Sequence, residues 1–89
     1  MNRFVFTEKV KATFSKLEQH EQNRIVEKLQ FLKNHQNILS VIKHIKYMDP
    51  ATHRLRIGQN RLLLQLIQND DENHLFRILK IGHRREVYR

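Results

Sequence analysis

The feature that most constrains this fold is an apolar run at residues 61–68, which reads RLLLQLIQ. An apolar run of this length between turn residues is typical of a strand that is covered on both faces. The bounding turn segments are GQN at 58–60 and NDDEN at 69–73. The sequence therefore predicts a central strand between two turns.

Strands are predicted on both sides of that run. In His53–Ile57, apolar residues alternate with Arg54 and Arg56, as they do in a half-buried strand. Residues 74–81 form the third strand of the set. Because the connections have hairpin length, these three strands should be antiparallel.

The N-terminal half predicts a short strand at Asn2–Phe6 followed by two helices. Thr7 is a good helix N-cap, and apolar residues at helical spacing extend the first helix to about Leu17. A polar break at 18–22 separates it from a second helix that ends near His35. The apolar stripe of the second helix consists of Ile25, Val26, Leu29 and Leu32. Two such stripes cannot bury themselves completely on each other, so they need a sheet, which we expect the N-terminal strand to join.

Segment 36–50 has two interpretations. It is too apolar for a free loop, and it forms either a short helix or an extended crossing that ends at Pro50. The chain has no internal repeat and no linker. We therefore expect a single α+β domain over residues 1–89, with an N-terminal strand and a two-helix hairpin packed on a small antiparallel sheet.

Composition narrows the class of protein. The 89 residues include no cysteine, which excludes a disulfide framework and a thiolate metal site. No apolar run approaches the roughly 18 to 20 residues of a membrane span, and the first residues lack the pattern of a signal peptide. We expect a cytoplasmic protein that does not enter a membrane.

The charge of the chain indicates a polyanionic partner. Lys and Arg number 17 against 9 Asp and Glu, which gives a formal net charge of +8. Such a balance raises the local concentration of RNA, DNA or an acidic protein, although it can also serve solubility alone. Three of the acids, at 70–72, lie together in one predicted turn, so the rest of the final third is almost wholly cationic.

Arginines on neighbouring strands are the candidate phosphate ligands. In the predicted hairpin, Arg61 returns beside Arg54 and Arg56, and the third strand delivers His83 and Arg84 at its far end. We expect these five groups to line one sheet face, where arginine forks bind phosphate and stabilise a pentacoordinate phosphorane. The alternative is that the arginines are the solvated side of a two-faced sheet.

The C-terminal segment 81–89, IGHRREVYR, adds a proton carrier and an aromatic ring. Histidine is the side chain whose charge ordinarily changes near neutral pH, which makes His83 the natural general acid or base. Tyr88 could stack on a base. The alternative is a solvated basic tail.

Other catalytic classes find no support in the sequence. The other five histidines show no metal-ligand spacing, so neither a metal nor a cofactor is expected. Among them, His53 lies next to Arg54, but its alternation with Leu55 puts it on the apolar side of its strand. A glycine-rich phosphate loop and a nucleophile elbow are both absent from the sequence, which disfavours nucleotide-triphosphate hydrolysis and acyl transfer.

The order of these elements resembles that of the RelE/ParE superfamily, which consists of toxins from bacterial toxin–antitoxin pairs. The resemblance covers nearly the whole chain and is sharpest in two segments, THRLRIGQNR at 52–61 and the tail IGHRREVYR at 81–89. It implies a microbial-RNase-like fold and, for the RelE branch, metal-free cleavage of mRNA in the ribosomal A site. In that reaction the ribose 2′-hydroxyl attacks the adjacent phosphate.

The resemblance also implies roles for individual residues. Arg61 and Arg84 match phosphate-binding arginines of the catalytic set, and Tyr88 matches the C-terminal tyrosine that contacts the RNA. The basic strand before the turn contributes Arg54 and Arg56, and Arg85 joins them as an RNA-binding residue. The best-known RelE pattern has lysines in that strand. Because arginine is a poor proton donor or acceptor, His83 is expected to take a larger catalytic share here.

Two other functions remain open from the sequence. The ParE branch shares the fold but inhibits DNA gyrase without cutting RNA. The other alternative is that the chain is a degenerate, non-toxic member of the superfamily. In both main interpretations, a cognate antitoxin should cover the apolar and basic surfaces of the toxin.

Overall fold

The computed structural model describes residues 1–87. The elements, in chain order, are β1 (Asn2–Phe6), α1 (Glu8–Ser15), α2 (Gln19–Lys33), α3 (Ile38–Val41), β2 (Lys43–His44), β3 (His53–Ile57), β4 (Asn60–Asn69), β5 (His74–His83) and α4 (Arg84–Val87). None of the helices in this range is long and apolar enough to span a bilayer.

The five strands form one sheet in the order β1-β5-β4-β3-β2. As predicted, β3, β4 and β5 are antiparallel neighbours, and β1 joins the same sheet. Strand β1, however, runs parallel to β5, so the sheet is mixed and only its other strand pairs are antiparallel. Only a hairpin connection imposes the antiparallel direction, and β1 is separated from β5 by most of the chain.

The two predicted helices are present, but the break between them is shorter than expected. Thr7 caps α1, because its hydroxyl accepts a hydrogen bond of 3.2 Å from the backbone N–H of Val10. The second helix, α2, already begins at Gln19, inside the expected break at 18–22. Its first turn is polar and carries no apolar residue that would indicate the helix. Val26, which we expected in the buried stripe, is 41% exposed.

Segment 36–50 contains both a short helix and a short extended strand, so each of the two interpretations is correct for a part of it. A single turn of helix, α3, is followed directly by the two-residue edge strand β2, which pairs with β3. The buried side chains of Ile38 and Ile42 attach the segment to the main core.

Apolar residues form clusters on both faces of the sheet, as the run at 61–68 predicts. The main cluster lies between the helices and one face, where Leu62, Leu64 and Phe76 are fully buried. On the opposite face, Leu63 packs with Ala51 and Val87 in a smaller cluster. Strand β4 is therefore central, and helix α4 covers part of its second face.

Candidate nucleic-acid interface

Alternation along β3 puts its arginines on the face opposite the main core. Leu55 and Ile57 are buried, so Arg54 and Arg56 project from the other side of the strand. Arg61 of β4 lies directly opposite Arg56 in the antiparallel register. The three arginines therefore share one face of the sheet, as the sequence predicts, and we call it the arginine face.

The turn between β3 and β4 depends on a glycine. Gly58 has φ of 61°, a left-handed conformation, and a Cβ at this position would lie 2.7 Å from Nη1 of Arg24. The turn is also tied to the arginine face, because Arg56 donates from Nε to the carbonyl oxygen of Gly58 over 3.3 Å. This turn sets the register that places Arg56 opposite Arg61.

Opposed arginines destabilise an empty sheet. Like charges on directly paired residues repel each other, and within residues 1–87 neither Arg56 nor Arg61 forms an ion pair with a carboxylate. An anion between the two guanidinium groups would relieve this repulsion. The pair is therefore better suited to bind a phosphate than to stabilise the fold.

A second glycine allows the C-terminal helix to fold back onto the sheet. Gly82 lies opposite Arg61, and a Cβ there would lie 3.0 Å from Oε2 of Glu86 and 3.6 Å from Cγ2 of Val87. Val87 is 2% exposed and anchors α4 in the smaller apolar cluster. This packing holds Arg84 at the edge of the arginine face.

These elements enclose an open groove of about 1000 Å³. We call it the basic groove, and it is lined by Lys28, Leu32, Val41, Lys43, Arg54, Leu55, Arg56, Arg61, Arg84 and Arg85. Seven of these side chains are cationic, and the described lining contains no carboxylate. Arginine binds phosphate bidentately, so the groove is suited to a polyanionic chain.

His83 does not join the arginines, and our expectation that five groups would share one face was wrong for this residue. His83 lies opposite Asn60 in the register, and its Nε2 is 3.4 Å from Oε1 of Glu21 on α2. The cause is strand alternation: Gly82 lies on the side of Arg61, so the next residue points to the opposite face. Nearness in sequence to Arg84 was a poor guide to the direction of the side chain.

The contact with Glu21 belongs to a small polar cluster that the sequence analysis missed. The side chain of Glu21 is 18% exposed and that of His83 is 50% exposed. Asn60 is buried, and its Nδ2 donates a long hydrogen bond of 3.5 Å to Oε1 of Glu21. Recognising that α2 begins at Gln19 would have indicated that Glu21 faces the sheet.

The two lysines of the basic groove were also missed. Lys28 comes from α2 and Lys43 from β2, two elements that reach the arginine face only through the tertiary fold. No local pattern marks either residue as a partner of the arginines. Tyr88, the predicted stacking residue, lies outside the described residues.

His53 lies in the core, on the apolar side of β3, as its alternation predicts. Burial lowers the pKa of His53 below the ordinary value, and the nearby charge of His44 lowers it further. Its Nδ1 lies 2.8 Å from the hydroxyl of Thr52. His53 is therefore a buried residue whose surroundings favour the neutral ring, and it does not line the basic groove.

Among residues 1–87, no group of three or more His, Asp or Glu side chains is placed to hold a metal ion.

Three solved structures that are similar to this chain are a toxin and two toxin–antitoxin complexes. A RelBE toxin–antitoxin complex from Mycobacterium tuberculosis contains a chain that is 28% identical, with a TM-score of 0.71 over 92% of this chain and 96% of that one. A free-state Escherichia coli RelE toxin with two arginine-to-alanine substitutions is 22% identical (TM-score 0.65, covering 96% and 87%). A RelB–RelE complex from Methanococcus jannaschii is 19% identical (TM-score 0.64, covering 94% of each chain). No family model and no curated relative matches the sequence.

Proposed function

We propose that this chain, whose fold is similar to that of solved RelE toxins, is a metal-free endoribonuclease that cleaves mRNA on translating ribosomes. It would act as the toxin of a type II toxin–antitoxin pair in the cytoplasm. The observation that carries the proposal is the basic groove, in which seven cationic side chains converge without a carboxylate among the described lining residues.

The reaction needs three things from the protein. The 2′-hydroxyl of a ribose loses its proton to a base and attacks the adjacent phosphorus. The bond from phosphorus to the 5′-oxygen then breaks, and an acid protonates the leaving oxygen. Between these steps the phosphorane carries extra negative charge, which fixed cations stabilise.

Arg56, Arg61 and Arg84 are the proposed phosphate ligands. The first two face each other across the hairpin, and Arg84 lies at the edge of the same groove. Arg54 and Arg85 would extend the contact to neighbouring phosphates, and Tyr88 would stack on a base. A guanidinium remains protonated throughout, so these groups bind and stabilise but do not transfer protons.

His83 is the proposed general acid or base. Its ring is half exposed and lies on the helix side of β5, held by Glu21. Proton transfer in the groove would require the side chain to leave Glu21 and turn toward Arg84. The alternative carriers in the groove are Lys28 and Lys43, because an ammonium group, unlike a guanidinium, can release its proton.

The proposed macromolecular partners are mRNA in the ribosomal A site and a cognate antitoxin. Two of the similar structures are toxin–antitoxin complexes. An antitoxin segment with acidic and apolar residues would match both the cations of the basic groove and Val41, an exposed apolar residue of its lining.

Induction of the chain in cells tests the proposal. The expected result is cleavage within translated mRNAs, mapped by sequencing of RNA 5′ ends, and its loss in an Arg61→Gln variant expressed at the same level. Double-strand DNA breaks with intact mRNA would instead assign the chain to the gyrase-inhibiting branch.

A further inference from the structure

The basic groove continues beyond the sheet onto helix α2. Lys28 and Arg56 line both the basic groove and a second hollow of about 530 Å³. The second hollow, which we call the α2 groove, also contains Arg24, Phe31 and Gly58. The two grooves therefore form a continuous surface around the turn between β3 and β4.

Helical spacing places the α2 side chains of this surface in one row. Arg24, Lys28 and Phe31 follow each other at i, i+4 and i+7, so they lie on the same side of α2. The adjacent side of the helix carries Ile25 and Leu29, which are buried in the main core. Packing of that apolar side fixes the direction in which the row points.

Phe31 is an exposed aromatic ring with a lysine beside it. It is 66% exposed, and Nζ of Lys28 lies 5.4 Å from its ring centre. The ring of His35 contacts it edge-on at 6.2 Å. A flat ring beside a cationic groove is the combination by which proteins bind single-stranded nucleic acid, with stacked bases and paired phosphates.

The charges of the α2 groove favour a polyanion. Arg24 is held against the turn, where its Nη1 would lie 2.7 Å from a Cβ on Gly58. Glu27 is the one acid among the described residues that line the α2 groove, against the three cations Arg24, Lys28 and Arg56. The net charge of the lining is therefore positive, and it continues the charge of the basic groove.

We propose that Arg24, Lys28 and Phe31 form a second subsite for single-stranded RNA. Arg24 and Lys28 contact phosphates, and Phe31 stacks on a base of the strand whose scissile phosphate occupies the basic groove. This inference rests on the proposed function and extends it, since it assigns α2 a role in binding the strand away from the cleaved bond.

The test measures binding of 2′-O-methyl oligoadenylates of increasing length, which lack the attacking hydroxyl and so remain intact. Phe31→Ala should weaken binding of the longer oligomers by about 5- to 150-fold, the range that base–aromatic stacking covers, and leave the shortest unchanged. Phe31→Trp, which keeps a flat ring, should restore the affinity. Tyr47→Ala is the matched control, because Tyr47 is fully exposed and lines neither groove.

Inorganic polyphosphate separates stacking from charge. It has no bases, so Phe31→Ala should leave its affinity unchanged. An equal loss for RNA and polyphosphate would overturn the stacking role. Unchanged RNA affinity would also overturn the proposal and leave the row as a surface for a protein partner.

The inference and the proposed function can fail separately. If Arg61→Gln abolishes cleavage while Phe31→Ala leaves binding of every oligomer unchanged, only the second subsite is wrong. If the wild-type chain cuts no RNA in cells but Phe31 still governs oligomer affinity, the nuclease proposal is wrong and the binding surface remains.

Discussion

The two faces of the sheet are made by the same strands but have opposite physical characters. Toward the helices, β3 and β4 present Leu55, Leu62 and Leu64, all nearly inaccessible to solvent. Away from the helices, the same two strands present Arg56 and Arg61 in direct opposition. One face is buried and apolar, and the other carries a repulsion between arginines that a bound anion would relieve.

Leu63 is an apolar, buried residue on the face that carries the arginines. It projects on the arginine face yet is 5% exposed, because Ala51 and Val87 cover it. The small cluster around Leu63 attaches α4 to the sheet, which brings Arg84 to the groove. The arginine face therefore contains enough apolar contact to position its cations and leaves the rest of its surface open.

The largest effect on stability should come from removing a large side chain from the helix-covered face. Phe76→Ala removes a fully buried ring that stacks on Phe4 at 5.5 Å. We expect the free energy of unfolding to fall by about 3 to 5 kcal/mol, measured by denaturant titration. A loss below about 1 kcal/mol would mean that this face is not the stabilising one.

The next effect should come from the arginine face and should leave stability intact. Arg61→Gln should reduce RNA cleavage by about 100- to 1000-fold, the usual result of removing one transition-state donor. Arg77→Gln is the matched control, since Arg77 is an exposed arginine of β5 outside the basic groove. Equal activity losses in the two variants would show that the effect is general charge and not the groove.

A substitution of His83 tests whether a residue on the helix-covered side of the sheet takes part in the reaction. His83→Gln should lower turnover at least about 100-fold, as expected for loss of a general acid or base, while RNA affinity stays unchanged. The measurement is the cleavage rate and the RNA affinity at a series of pH values from about 5 to 9. A variant as fast as the wild type at every pH would leave His83 as a structural partner of Glu21.

Sequence reasoning was reliable where a residue's position depends on its own strand. Alternation in β3 put Arg54 and Arg56 on the open face and His53 in the core, and the structure confirms both. The apolar run predicted a strand covered on both faces, which the burial of Leu63 and Leu64 confirms.

The errors arose where position depends on the partner strand or on another element. The direction of His83 follows from its register with Asn60, which the sequence does not state. Lys28 and Lys43 reach the groove only through the packing of α2 and the edge pairing of β2. Such residues have no local pattern, so they become visible only after the fold is known.

His53 should make the stability of the helix-covered face depend on pH. Burial lowers its folded pKa below the unfolded value of about 6.5, so the unfolded state binds the proton more readily. The contribution of His53 to the free energy of unfolding is therefore fully present above about pH 6.5. It falls as the pH is lowered from there toward the folded pKa, by at most about 1.4 kcal/mol per pH unit. Denaturant titrations at several pH values should show a shallower dependence in His53→Gln, and an unchanged slope would contradict this role.

The smallest effect should appear in the salt dependence of the arginine face. Each phosphate contact on a single strand contributes about −0.7 to the slope of log affinity against log salt. Arg56→Gln should therefore flatten that slope by about 0.7, which amounts to about a 2.6-fold change in relative affinity over a fourfold change in salt. Fluorescence anisotropy with a 2′-O-methyl oligoadenylate measures the slope, and Arg77→Gln should leave it unaltered. If Arg56→Gln behaves like Arg77→Gln, the Arg56 side chain is part of the solvated surface, and the repulsion across the hairpin serves no bound phosphate.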